Sequence, residues 1–144
     1  MVFGMLALTA AALFAGAALY VSFVEHPARA ELDARAQLQQ WKPAYARGAV
    51  MQASLALIGF VLGTAAWWSL RDWRWLAGAI LLLAAWPYTL LLIMPTNNAL
   101  KKLSLAAAGP ASRALLGRWG RLHFGRTALG VLATALFLAA ATAP

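Results

Sequence analysis

The stretch GAVMQASLALIGFVLGTAAWWSL, Gly48–Leu70, contains no Asp, Glu, Lys or Arg. The four residues Arg71–Arg74 follow it, and a second stretch without these charged residues, Trp75–Leu100, comes directly after them. A helix rises about 1.5 Å per residue, so about 20 apolar residues cross the hydrocarbon core of a bilayer, which is ~30 Å thick. The two stretches are therefore predicted to be neighbouring, antiparallel membrane spans joined by a short turn.

Two further charge-free stretches lie near the ends of the sequence, Val2–Val24 and Thr127–Pro144. Of the 144 residues, 63% are hydrophobic and 11% are charged, whereas soluble domains are about half apolar and about a quarter charged. The first stretch is too long for the apolar core of a signal peptide and has no basic residue before it, so we expect a retained span. The sequence predicts an integral membrane four-helix bundle, all-α and up-down-up-down, as one domain over residues 1–144 with spans at about 2–24, 45–70, 75–96 and 119–142.

The most polar segment, Glu25–Ala46, lies between the first two spans, and a short interfacial helix is predicted there from Arg29 to about Trp41. Ten of the twelve Lys and Arg residues fall on the membrane face that carries this segment and the connection between spans three and four. Basic connections stay in the cytoplasm, so we expect that face to be cytoplasmic and both termini to lie outside an inner membrane. The net charge of +8 thus indicates topology in a lipid bilayer and no nucleic-acid partner.

Polar residues concentrate at the same face, where the four predicted spans begin or end. Burial of Gln52, His123 or Arg126 inside a membrane span costs free energy unless the side chain is paired or solvated. The three residues therefore favour a functional site. Other basic residues at span ends, including Arg29, are interpreted as topology signals. The sequence therefore predicts a polar pocket lined by His26, Tyr45, Arg47, Gln52, Asn97, Asn98, Arg121, His123 and Arg126.

Five short strings at these positions resemble the anthrone oxygenase-like family of small membrane proteins. The most specific are MPTNN at the end of span three and the W-x-R-x-H pattern that opens span four. The strings are Glu25–Arg29, Trp41–Gly48, Trp86–Tyr88, Met94–Asn98 and Trp119–His123. The resemblance extends over nearly the whole chain, although a shared family does not imply a shared substrate.

The resemblance implies an oxygenase that uses O2 to oxidise an anthrone, a fused phenolic tricycle, to its quinone, with no cofactor required. On this hypothesis His123 or His26 is the base that removes the acidic ring proton. Arg126 and Arg121 would then stabilise the oxyanion that forms. The residues expected to bind the small aromatic substrate are Tyr45, Arg47, Gln52, Trp86, Asn97, Asn98 and Trp119.

Two other functions remain compatible with the residues. His26 and His123 on facing helices suit axial haem ligands or a copper site, with Glu25 as a further metal ligand. The metal signal is weak, because the sequence has two histidines, no cysteine and no CxxCH or HExxH motif. The third function is transport or a purely structural role in the membrane, which assembly into a homo-oligomer would assist.

Overall fold

The computed structural model describes residues 1–143 and consists of four long helices. They are α1 (Val2–Ala30), α2 (Ala34–Leu70), α3 (Trp73–Lys102) and α4 (Pro110–Ala141). Each is long and apolar enough to cross a membrane, and no strand occurs among the described residues. The structure confirms the predicted all-α membrane bundle.

Consecutive helices pack side by side, and α4 closes the bundle by packing against α1. Small residues permit this close packing, because their missing side chains leave room for large neighbours. A Cβ atom at Gly78 on α3 would lie 2.5 Å from Cε1 of Phe137 on α4, and one at Gly130 would lie 2.6 Å from Cδ1 of Phe14. Phe14, Trp75 and Phe137 are fully buried at these contacts.

Two helices contain a π-helical turn directly before a proline. In α1 the turn is Val21–Glu25 and precedes Pro27, and in α3 it is Thr89–Ile93 and precedes Pro95. A proline lacks an N–H group, and its ring clashes with the carbonyl four residues earlier, so widening the preceding turn relieves the contact. Each wide turn changes which side chains the rest of its helix presents to the bundle.

The connection between α2 and α3 is a tight turn outside the spanning helices. Arg71 ends α2 in the left-handed conformation, with φ of 59°. The Asp72 side chain accepts a hydrogen bond from the backbone N–H of Arg74 and pairs with its guanidinium at 2.7 Å. Hydrogen bonds from Arg74 lower the pKa of the Asp72 carboxyl. This end of the bundle carries four tryptophans, Trp67, Trp68, Trp73 and Trp75.

The structure differs from the sequence prediction in the segment between the first two spans, which forms no separate interfacial helix. The chain reverses at 31–33, and the Asp33 side chain caps α2 by accepting from the N–H groups of Arg35 and Ala36. From there α2 runs without interruption to Leu70, because Leu38 and Trp41 are fully buried against α3 and α4 and keep the segment in line with the span. All four helices are consequently longer at this end than the predicted spans. We call it the polar end.

Candidate functional site

A narrow cavity of about 40 Å³ lies between the helices at the polar end. All four helices contribute to its walls. The lining side chains that are polar or aromatic are Glu25, Arg29, Trp41, Tyr45, Gln52, Asn97, Trp119, His123 and Arg126. Six of the residues predicted from the sequence thus meet at one place: Tyr45, Gln52, Asn97, Trp119, His123 and Arg126.

His123 on α4 is held by a chain of hydroxyl groups. Its Nδ1 atom lies 3.2 Å from Oγ of Ser22, which lies 2.8 Å from Oγ1 of Thr127. Thr127 donates its single proton to the carbonyl oxygen of Ala18, at 3.2 Å. Thr127 therefore accepts from Ser22, and Ser22 in turn accepts from His123, since each hydroxyl has one proton. The neutral imidazole thus carries its proton on Nδ1 and has a free lone pair on Nε2.

Arg126 lies one turn beyond His123 and is only 8% exposed. Its Cζ atom is 5.7 Å from the ring centre of Phe14. Nε is buried without a hydrogen-bond partner, and neither ion pair among the described residues involves this guanidinium. A buried cation without an anion is costly in a membrane protein, so the position favours a negatively charged ligand.

Arg29 is a second buried cation of the cavity, only 4% exposed. Its guanidinium pairs with Glu25 and also donates to Gln40, and it lies 5.7 Å from the Trp119 ring centre. The interpretation of Arg29 as a topology signal is corrected, because its side chain points into the bundle. The spacing of Glu25 and Arg29, four residues apart on one helix, is the signal that could have identified the pair.

Aromatic rings form one wall of the cavity. Trp41 stacks on Tyr45 with ring centres 4.8 Å apart, and Trp119 stacks on His123 at 5.0 Å. Trp119 also meets Trp41 edge to face at 5.9 Å. Trp41 was not predicted as a site residue, because it lies in a polar segment that gave no sign of an inward-facing ring. The rings pack on one another, so this wall of the cavity is largely apolar.

Several polar groups of the cavity retain unused hydrogen-bonding capacity. Asn97 donates from Nδ2 to the Tyr45 hydroxyl oxygen at 3.0 Å, which leaves the Tyr45 O–H free to donate. Buried lining atoms without a partner among the described residues include Gln52 Oε1, Asn97 Oδ1, Arg29 Nη1 and Arg126 Nε. A ligand that satisfies these atoms needs acceptors for the arginines and donors for the amide oxygens.

The remaining predicted residues lie elsewhere. Arg47, Asn98 and Arg121 are exposed and do not line the cavity. Trp86 lines a neighbouring cavity and donates its indole N–H to the Ala53 carbonyl at 3.3 Å. His26 packs against Gly120 and lies in a different cavity with Arg113 and Gln37.

This arrangement gives no support to a metal or haem held between the two histidines. His26 and His123 line different cavities, and each ring contacts Trp119. Glu25, the further ligand considered, is paired with Arg29. No group of three or more His, Asp or Glu side chains spaced for a metal ion occurs in residues 1–143.

Four spanning helices around a polar cavity, with a buried histidine beside a buried arginine, define a small helical membrane protein. The family model described as anthrone oxygenase matches residues 41–136, two thirds of the chain. The chain therefore belongs to the anthrone oxygenase family. The match begins at Trp41, so it leaves out α1 and is shorter than the expected resemblance over nearly the whole chain. No curated protein and no solved structure matches the chain significantly.

Proposed function

We propose that the protein is a membrane-bound oxidoreductase that uses O2 to oxidise a small phenolic or polycyclic aromatic compound in the cavity at the polar end. The observation that carries the proposal is the unpartnered, buried guanidinium of Arg126 beside the free Nε2 of His123. Membership of the anthrone oxygenase family supports the reaction class. The polar end would face the cytoplasm of a cell with an inner membrane, because ten of the twelve basic residues lie there.

Arg126 is the group proposed to hold the ionised substrate. A phenolate or an enolate supplies the negative charge that the described residues do not provide to this guanidinium. In a cavity shielded from water, such a charge-assisted hydrogen bond stabilises the anion more strongly than the neutral compound. Arg126 thereby lowers the cost of removing a proton from a carbon atom next to the aromatic rings.

His123 is the proposed base, and Nε2 is the atom that accepts the proton. Loss of a C–H proton from the methylene group between the rings leaves an electron-rich anion, which adds O2 at that carbon and forms a peroxide. The peroxide takes this first proton back from His123, and Nε2 then accepts the second C–H proton as the O–O bond breaks to give the ketone and hydroxide. The departing hydroxide takes a proton from His123 and leaves as water, so O2 supplies one oxygen atom to the product and one to water. His123 is proposed for both proton transfers because its Nε2 has a free lone pair and its ring lines the cavity.

The other lining residues are proposed to position the substrate. The half-buried ring of Tyr45 is proposed to contact the aromatic rings of the substrate, and the Tyr45 hydroxyl and the Gln52 and Asn97 amide oxygens provide polar contacts. His26 and Arg121, which were equal candidates for base and anion stabiliser from the sequence, receive no role in the chemistry, because neither lines this cavity.

The experiment that tests the proposal is oxidation of anthrone by the purified protein in detergent, with quinone absorbance and O2 uptake recorded together. We expect one O2 consumed per quinone formed. His123→Gln and Arg126→Gln should each lower kcat about 100-fold, whereas the matched variants His26→Gln and Arg121→Gln should stay within about threefold of wild type. Full activity of both His123→Gln and Arg126→Gln would contradict the proposal.

A further inference from the structure

A second cavity, of about 200 Å³, opens between α2 and α3. Its lining is mostly small or apolar, and Arg126 is the single charged residue in it. The lining consists of Tyr45, Ala49, Ala53, Ala85, Trp86, Thr89, Leu90, Met94 and Arg126. We call this space the lateral cavity.

The mouth of the lateral cavity faces the side of the bundle that contacts lipid. Trp86 and Leu90, 41% and 58% exposed, stand at its rim. Apart from Tyr45 and Arg126, its walls come from the two charge-free stretches Gly48–Leu70 and Trp75–Leu100. The π-helical turn Thr89–Ile93 contributes two of the lining residues, Thr89 and Leu90.

The lateral cavity shares Tyr45, Ala49 and Arg126 with the cavity at the polar end. Arg126 is more than nine-tenths buried, and its Nε has no partner, so an unsatisfied cation lies at the inner end of an apolar passage. Tyr45 lines both spaces and is held by its stacking on Trp41 and by the hydrogen bond from Asn97. A molecule with an apolar body and an acidic hydroxyl group matches a passage whose walls are apolar and whose inner end carries a cation.

We propose that the lateral cavity is the entrance through which an acidic, planar aromatic ligand passes from the bilayer, past Tyr45, to Arg126. The inference rests on the proposed function, because it identifies the ligand class as membrane-dissolved phenols. A phenolic tricycle partitions into lipid in its neutral form and gains the arginine contact only after it enters. A water-facing groove lined by Lys42, Tyr45 and Lys101 is the competing route, but Arg126 does not line it.

The experiment measures access and affinity separately. The protein is reconstituted in phosphatidylcholine nanodiscs, and 1,8-dihydroxyanthraquinone is added while tryptophan fluorescence is followed by stopped flow. Ala53→Phe narrows the lateral cavity and leaves the lining of the polar cavity unchanged. We expect the association and dissociation rates both to fall about fivefold or more, with the Kd within about twofold of wild type. The matched control is Ala128→Phe, at an exposed position on α4.

Two further variants keep the proposal falsifiable if Ala53→Phe folds poorly. Leu90→Ala removes a side chain from the rim and should speed both rates, and Ala46→Phe, which narrows the water-facing groove, should change neither. Unaltered rates in both Ala53→Phe and Leu90→Ala, or slower association in Ala46→Phe, would overturn the lateral entrance while leaving the proposed function intact. A weaker Kd in Ala53→Phe would instead make the lateral cavity the binding site and overturn its role as an entrance. Failure of the wild-type protein to bind the compound would refute the proposed function and the entrance together.

Discussion

The Nδ1 atom of His123 on α4 lies 3.2 Å from the hydroxyl oxygen of Ser22 on α1. Because Ser22 gives its own proton to Thr127, it acts as an acceptor for the imidazole. The contact joins two residues 101 positions apart and selects the tautomer in which Nε2 is unprotonated. A histidine oriented in this way is prepared to accept a proton before any substrate arrives.

Replacing the hydroxyl that holds His123 should therefore weaken catalysis more than binding. In Ser22→Ala we expect kcat to fall about fivefold with little change in KM, since a hydrogen bond of this kind is worth about 1 kcal/mol. The ¹⁵N shifts of the imidazole should reveal a smaller population of the Nδ1-protonated tautomer. Ser54→Ala, at an exposed serine of α2, is the matched control. Unaltered imidazole shifts in Ser22→Ala would show that the hydroxyl chain does not select the tautomer.

The unpartnered guanidinium of Arg126 should confer a preference for ligands that carry an acidic hydroxyl. We expect wild-type protein to bind 1,8-dihydroxyanthraquinone more than about tenfold more tightly than anthraquinone, because a hydrogen bond to a charged group is worth about 1.5–3 kcal/mol. Arg126→Gln should bind the two compounds with similar affinity, and Arg121→Gln should keep the wild-type preference. Titration of tryptophan fluorescence gives both affinities, and an undiminished preference in Arg126→Gln would contradict this assignment.

The close packing of α3 and α4 should depend on Gly78. A Cβ atom there would lie 2.5 Å from Cε1 of Phe137 and 3.2 Å from the Ala133 carbonyl oxygen, so Gly78→Ala should destabilise the bundle by about 1–3 kcal/mol. Gly16→Ala is the matched control, because no atom lies within 4 Å of the added methyl group. When thermal unfolding is followed in detergent, Gly78→Ala should have a lower Tm than wild type, and Gly16→Ala should not. Equal Tm values for the two variants would mean that the helices separate easily at Gly78.

The turn between α2 and α3 should make a small, pH-dependent contribution to stability. Arg74 lowers the folded-state pKa of Asp72 below its ordinary value of 3.8. This contribution is fully present above pH 3.8 and is lost as the pH falls through the lower folded-state pKa. When Tm is measured against pH in acid, Asp72→Asn should lack this dependence, and Arg74→Gln should keep only the part that comes from the backbone N–H of residue 74. Persistence of the wild-type slope in both variants would assign it to other carboxyl groups.

The orientation of the bundle can be tested directly, because the sequence has no cysteine. Ser104→Cys introduces a thiol in the connection between α3 and α4, and Ser69→Cys introduces one at the opposite end of the bundle. If the basic polar end faces the cytoplasm, an impermeant maleimide should label position 69 in intact cells. Position 104 should be labelled only after the membrane is permeabilised. The reverse pattern would invert the proposed topology.

Much of the fold was predictable, because the charge-free stretches reveal both the length of each span and the order of the connections. The site was predictable only in part. His123 and Arg126 stood out as polar residues inside a span, whereas Arg29 resembled the basic residues that normally flank one. Ser22 and His26 are four residues apart, which would place both on one face of a regular α-helix, but the π-helical turn Val21–Glu25 separates them. Ser22 therefore meets His123, while His26 meets Gly120.

The sequence by itself determined a four-helix membrane protein, because lipid leaves no alternative to internal backbone hydrogen bonding in long apolar segments. It also determined which end of the bundle is polar. Only the tertiary structure decided which polar side chains share a cavity. That choice depends on the rotation of each helix about its axis, which composition does not specify and which the two wide turns before Pro27 and Pro95 alter. Arg121 and Arg126 illustrate the result. They lie five residues apart on one helix, so Arg121 points outward and Arg126 points into the cavity.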